Sequence, residues 1–143
     1  MTPDKRITDF VEAHHVLTLA THADGLSHCC NLFYVYLPQR NAFVVTSSDK
    51  TLHVAHLRQN PSVAASVVLE TRTVGKVQGL QIRGTMRPPE AEEKAEIKKA
   101  YLLRFPYAAV MDLELWVLRP DYMKLTDNRL GFGKKIIWEA QNL

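Results

Sequence analysis

Two stretches of this chain alternate like strands yet turn no polar face to water. In residues 63–69 only Ser66 is polar. In residues 32–37 one face carries Leu32, Tyr34 and Tyr36, and the other carries Phe33, Val35 and Leu37. A strand that is apolar on both faces must be covered on both. That requirement suits a sheet curled around its own core, with helices or a second subunit over the outside.

The neighbouring segments agree. Thr2-Pro3 opens a first helix, with Ile7, Phe10, Val11 and His14 at helical spacing. Residues 16–21 form a strand ended by Asp24-Gly25, a strong hairpin signal. Residues 28–37 make one long strand, and Pro38-Gln39-Arg40-Asn41 turns it into the next, 42–47. A helix over 50–59 stops at Asn60-Pro61. Strands follow at 63–69 and 77–87. Pro88-Pro89 then opens a third helix, with Glu90 and Lys94 at favourable i,i+4 spacing, ending over 102–107. Residues 113–118 and 122–126 are strands around a turn at Arg119-Pro120-Asp121, and the tail beyond carries no clear pattern. Six or so strands joined by short turns, with about three helices, make a mainly β (α+β) chain built on an antiparallel sheet or barrel.

With 143 residues the chain reads as a single domain, 1–143. A domain of that size buries roughly 68–70% of its unfolded surface and needs no disulfide or metal to fold. The net charge of +3 is spread out rather than clustered, which argues against nucleic acid as a partner. No apolar run approaches the length of a membrane helix, and the first ten residues lack the apolar core of a signal peptide. Cys29 and Cys30 are neighbours that point to opposite faces of a strand and cannot bridge comfortably. These features suggest a reduced, cytoplasmic protein.

One segment carries a chemical hint. After the apolar run 42–45 come Thr46, Ser47, Ser48, Asp49, Lys50 and Thr51, and then the helix. A strand that runs into a helix N-terminus, with hydroxyls and a lysine at the junction, makes a seat for a phosphate. The same residues also suit an ordinary helix cap, with Ser48 or Asp49 capping and nothing bound.

The order of these motifs resembles the pyridoxamine-phosphate-oxidase-like split barrels, and most of all their uncharacterised YhbP-like branch. The resemblance rests on Thr46-Ser47, Leu57-Arg58-Gln59-Asn60-Pro61, Gln81-Ile82-Arg83-Gly84, Tyr101-Leu102-Leu103-Arg104-Phe105-Pro106 and Leu118-Arg119-Pro120-Asp121. It implies a six-stranded antiparallel split β-barrel that forms a homodimer with FMN at the interface, acting on a small-molecule substrate without nucleic acid or membrane partners. The strand under the flavin corresponds here to Asn31, Leu32, Phe33 and Tyr34, and Asn31 stands where the oxidase has an arginine. Thr46 and Ser47 match the pair that contacts the cofactor. The family's two basic phosphate ligands fall on Leu52 and His53, so His53 is a partial substitute, Lys50 the inferred source of the missing charge, and Ser47 and Thr51 line the phosphate with them. A ring-contacting glutamine aligns with Gly79, and nearby Gln81 is its inferred replacement. The resemblance also places the tail, with Phe132, Lys134 and Trp138, over the partner's cofactor.

The histidines offer alternatives. His53 and His56 share a helix face, but two residues are short of a metal site and none is expected. His28 stands near the inferred flavin ring. The reading is therefore an FMN-dependent oxidoreductase of the split-barrel type. The alternatives are a flavin or haem carrier or sensor, with His53 as haem ligand, and a cofactor-free dimeric barrel.

Overall fold

The computed structural model describes residues 2–131 and 134–141. Its elements are α1 (Lys5–Ala13), β1 (Val16–Ala23), β2 (Leu26–Phe33), β3 (Val35–Leu37), β4 (Ala42–Thr46), α2 (Leu52–Gln59), β5 (Ser62–Leu69), β6 (Gln78–Arg87), α3 (Lys94–Arg104), β7 (Leu115–Asp127) and β8 (Lys135–Glu139). The strands form one sheet in the order β2-β1-β5-β6-β7-β4-β3, with β8 paired to β7. Every pairing is antiparallel.

Because β2 and β3 are one run of chain interrupted at Tyr34, the two ends of the sheet belong to the same run and the sheet closes on itself. β7 gives one flank to β6 and divides the other between β4 at residues 115–118 and β8 at 122–126. This is the expected antiparallel split barrel with three helices, although the described residues contain eight strands rather than six. Tyr34 breaks the long strand because its amide donates to the His15 carbonyl (2.9 Å) and its hydroxyl to the Val11 carbonyl (2.6 Å), outside the ladder. β8 comes from the tail that shows no pattern in the sequence.

Residues 119–121 are not a turn. β7 runs straight through them with a bulge: Arg83 faces Tyr122 and Gly84 faces Pro120, so Asp121 has no opposite number on β6. A proline lacks the N–H that a ladder needs and is tolerated at such a bulge. Gly84 is required here by space, since a Cβ on it would lie 2.3 Å from the Arg119 carbonyl oxygen. The Asp24-Gly25 turn forms as expected, both residues at positive φ (53° and 74°), the geometry of a two-residue hairpin.

The helix starts also differ from expectation. Asp4, not Thr2, caps α1 by accepting from the Arg6 amide. Thr51, not Ser48 or Asp49, caps α2 by accepting from the Val54 amide. α3 begins only at Lys94, so Glu90 lies outside the helix and the Glu90–Lys94 pair does not form. The nearby carboxylate that matters is Glu93. It is buried, paired with Arg40 and Arg119, and accepts from the Glu90 amide.

The barrel interior holds one core. α1 closes the end where β1 starts, with Ile7, Phe10 and Val11, and α2 closes the opposite end with Val54 and Leu57. A second core lies outside the wall, where Ile97 and Tyr101 of α3 cover Val35, Leu37, Ala42 and Val44. Each such side chain contributes roughly 1.5–3 kcal/mol when fully buried. So α3 supplies much of the outer cover that the doubly apolar strand 32–37 demands. For the strand 63–69 no described element does so, and Val68 stays 60% exposed. No described helix is long and apolar enough to cross a membrane.

Candidate functional site

Strand register builds an outer face from six strands. One row across it reads Asn31, Thr18, Ser66, Gln81, Lys124 and Ile137, from β2 through β1, β5, β6 and β7 to β8. The row on the α2 side reads Cys29, Ala20, Ala64, Arg83, Tyr122 and Glu139. On the α1 side lie Phe33, Val16, Val68 and Gly79, two residues along their strands from the central row. The face is thus a polar stripe with an apolar and small border on the α1 side and a mixed one on the α2 side, where Arg83, Tyr122 and Glu139 lie. Phe33, Val68 and Ile137 are each more than half exposed.

The stripe is partly ordered. Thr18 Oγ1 donates to Asn31 Oδ1 (2.7 Å), and the Asn31 amide N–H groups take no part in that bond. Arg83 stacks 4.1 Å from the centre of the Tyr122 ring. Gly79 leaves open space, since a Cβ there would meet nothing within 4 Å. Gln78 does not share this face. It is buried and accepts from Arg129 (3.2 Å).

The inferred flavin strand therefore splits by parity. Asn31 and Phe33 point outward, Leu32 packs partly buried against the barrel core, and Tyr34 is inside it. Burial pushes the Tyr34 hydroxyl's pKa above the ordinary tyrosine value, and that hydroxyl is already bonded to Val11. Trp138, opposite Met123 on β8, also packs partly buried against the interior, so it is not placed to stack over the outer face. Lys134 is exposed, and its main chain bonds those of Gly131 and Asp127. Phe132 lies outside the described residues.

At the strand-to-helix junction several of the inferred phosphate ligands are engaged with one another or with the main chain. His53 is buried and its Nε2 meets Ser47 Oγ at 2.7 Å, so two inferred ligands are bonded to each other. Burial, and after it the charge of His28, lowers the His53 pKa below the ordinary histidine value. A charged His53 replacing the family's basic ligand is therefore disfavoured. Thr51 Oγ1 is engaged with the Ser48 carbonyl and the Val54 amide. Lys50 is exposed. The Asp49 amide donates to Glu114 Oε2 (2.7 Å), and the Asp49 carboxylate pairs with Arg58.

Beside the junction is a cavity of about 320 Å³ lined by Thr46, Ser47, Ser48, Met111, Asp112 and Glu114. Its lining has three hydroxyl residues and two acids and includes no lysine or arginine. His56 does share a face with His53. It bonds Thr21 Oγ1 (2.9 Å) and lies edge-on to His28, with ring centres 6.2 Å apart, all at the α2 end of the barrel. Among the described residues no group of three or more His, Cys, Asp or Glu side chains could hold a metal ion.

The structure thus joins Asn31 and Gln81 in one row, with Phe33 beside them, and gathers Thr46, Ser47, Lys50, Thr51 and His53 at the junction. The residues missed are Thr18, Ser66 and Lys124, and the acids Asp112 and Glu114. Thr18 and Ser66 carried a signal, since each is the polar position in an alternating strand. The acids carried none, because only the β4–β7 pairing of Thr46 with Leu115 brings Glu114 to the junction.

Residues 3–126 match the family model described as pyridoxamine 5'-phosphate oxidase. The UPF0306 protein of Enterobacter sp. (strain 638) is 39% identical over 132 residues, covering 92% of this chain and 93% of that protein. UPF0306 protein YhbP of Escherichia coli O157:H7 is 38% identical, covering 92% and 90%. Among solved structures, a haem-binding protein from Mycobacterium smegmatis superposes with a TM-score of 0.76 at 22% identity, over 97% of this chain and 59% of that one. An FAD-binding protein from Mesorhizobium loti does so with a TM-score of 0.70 at 14% identity, over 94% and 93%. At these identities the structural likeness speaks for the fold.

Proposed function

The chain belongs to the pyridoxamine 5'-phosphate oxidase family, and from that premise we propose that it is a flavin-dependent oxidoreductase, working as a homodimer on a small molecule, with the flavin ring on the outer sheet face. The observation that carries this reading is the uncovered polar stripe with an apolar border on its α1 side. A planar ring system with polar edges asks for that combination: donors and acceptors for its rim, apolar groups against its faces. Bound flavin supplies the electron chemistry. The chain's own residues bind and orient. The Asn31 amide and Gln81 offer hydrogen bonds to the rim, Phe33, Val16 and Val68 exclude water along one border, and the gap at Gly79 admits the ring close to the backbone. A second subunit over the same face would bury these apolar groups and enclose the site.

The two parts of FMN fare differently against these residues. The outer face suits the ring. At the junction of α2 the Asp49 amide is already held by Glu114 and Ser47 is bonded to His53, so fewer side chains there are left for the phosphate. Haem binding is the weaker reading, since the histidine inferred as iron ligand is buried against Ser47.

The test is the absorption spectrum of the purified protein, followed by flavin titration of the wild type and of Asn31→Ala and Gln81→Ala. The expected result is a flavin band or saturable quenching of flavin fluorescence, with each variant weaker by about tenfold, the worth of one hydrogen bond. A Soret band, or no response to any flavin, would refute the reading.

A further inference from the structure

We propose that a cavity between α1 and the barrel wall binds a small uncharged molecule, an apolar ring carrying an amide or lactam group, with Gln78 as its principal donor. The site is separate from the face proposed for the flavin. Gln78 and Leu69 are next in sequence to Gly79 and Val68, so they point to the opposite side of the sheet.

The cavity follows from register and helix spacing. Leu69, Gln78 and Asp127 form one row across β5, β6 and β7 and line one side of it. Arg6, Asp9, Phe10 and Ala13, spaced as one face of α1, line the other. Between them lies a space of about 400 Å³. That falls within the roughly 300–1,000 Å³ typical of small-molecule sites.

An unspent donor points to a ligand. Gln78 is only 9% exposed. Its Oε1 accepts from Arg129 Nη2 at 3.2 Å, and a guanidinium can only donate, so the orientation of the amide is fixed. Its Nε2 gives no hydrogen bond to any described residue. Every sealed side-chain nitrogen or oxygen among the described residues has a partner, so this nitrogen is reachable, and the cavity is what Gln78 lines. A polar group so nearly buried calls for an acceptor. Arg129 Nη1 likewise donates to no described residue.

The surrounding groups set the rest of the ligand. Arg129 holds Asp127 (2.9 Å), Arg6 holds Asp4 (2.9 Å) and Lys5 holds Asp9 (2.6 Å). With each of these charges already paired, the wall has little to offset the desolvation of an ion. Phe10, Ala13, Leu69 and Leu130 give it apolar surface for a ring. His14, also in the lining, has Nδ1 at 2.7 Å from the Phe10 carbonyl. A carbonyl can only accept, so Nδ1 carries the hydrogen and Nε2 of the neutral ring is an acceptor. A carbonyl oxygen for Gln78 and Arg129, an N–H for His14 and an apolar body together describe a ring amide or lactam.

The experiment titrates benzamide, and benzoate as its charged counterpart, into nitrogen-15-labelled protein and follows the amide signals by nuclear magnetic resonance. Gln78→Glu keeps an acceptor for Arg129 but replaces the donor with oxygen, and the signals missing from it identify the Gln78 side chain. Ala13→Leu, at an exposed position on α1, takes up cavity volume without changing a polar atom. Circular dichroism checks that both fold. Benzamide is expected to shift the Gln78 side-chain signals saturably. Benzoate is expected to bind more weakly, and Gln78→Glu to weaken benzamide by about tenfold or more. Ala13→Leu is expected to weaken it as well. No saturable shift of the Gln78 signals with benzamide would overturn the site and leave a cavity holding solvent only. Benzamide binding unchanged in Gln78→Glu would overturn the role of Gln78, and benzoate binding as tightly as benzamide would overturn the uncharged class. If Gln78→Glu does not fold, the wild-type side-chain signals and Ala13→Leu decide, and unchanged binding in Ala13→Leu overturns the site. None of these outcomes bears on the flavin reading.

Discussion

Substituting Gly84 by alanine tests the bulge where β6 meets β7. The added Cβ would lie 2.3 Å from the Arg119 carbonyl oxygen, and 2.9 Å from both the Arg119 carbonyl carbon and the Pro120 Cα. All three are main-chain atoms, so no side-chain rotation can relieve the clash. Either β6 moves away from β7 by most of an ångström or the local ladder breaks. Overpacking costs about 1–3 kcal/mol where neighbours can shift. Main-chain neighbours place this site at the upper end, and a lost ladder bond adds about 1 kcal/mol. A total of about 3–4 kcal/mol follows, a large share of the roughly 5–15 kcal/mol that holds a typical domain together. For a chain of this length that lowers the melting temperature by about ten degrees. Gly79→Ala is the matched control. It sits in the same strand with nothing within 4 Å of its Cβ, so alanine there is expected to be neutral or slightly stabilising. Thermal melts followed by circular dichroism decide the matter. If Gly84→Ala melts within about two degrees of the wild type while remaining folded, the close approach does not govern this site, and the argument from it is wrong.

Tyr34→Phe removes the 2.6 Å hydrogen bond to the buried Val11 carbonyl and is expected to cost about 1–2 kcal/mol, seen as a lower urea midpoint with an unchanged slope. The His53 pKa is depressed in the folded state, so the unfolded chain binds more protons; stability is full above the ordinary histidine pKa and falls as the pH drops through it. Urea unfolding at neutral and mildly acidic pH should show that loss in the wild type and a smaller one in His53→Gln; equal losses would mean that His53 titrates normally. Val68→Glu, on the uncovered face, is expected to convert the proposed homodimer to a folded monomer by light scattering, and a wild type that is already monomeric at micromolar concentration would refute the dimer.

Much of the barrel was legible because its signals are local. Alternation marks β5 and the long β2–β3 run, and Asp24-Gly25 marks its hairpin, since two positive φ values in succession favour that pair of residues. The bulge at Pro120 was not legible. A proline between two apolar runs reads as a turn, and only the missing Cβ of Gly84 on another strand makes room for a continuous β7. The helix starts slipped for a related reason. Asp4, Thr51 and Glu93 each compete with nearby residues able to cap, and the choice depends on contacts such as those of Glu93 with Arg40 and Arg119. In the site, Asn31, Phe33 and Gln81 were found at the outer face. Tyr34 and Trp138 were placed there by likeness of position, whereas strand parity turns both inward. Glu114 could not be foreseen, because its role depends on a pairing between distant segments.

The single run of chain that supplies β2 and β3 has a consequence for how the molecule assembles. Its first half pairs with β1 and its second with β4, both close neighbours in sequence, so two hairpins sharing one strand can form early from local contacts. Neither hairpin encloses a core. Enclosure waits for β1 to find β5 and for β4 to find β7, and each pairing carries the entropy of closing a long loop. Folding should therefore be limited by these two late zippings, with the shared strand as a template that already holds both edges at the right separation. Changes at the β4–β7 seam, and changes in the β1–β2 hairpin that precedes it, would then slow folding, while changes in contacts made after the seam closes would mainly speed unfolding.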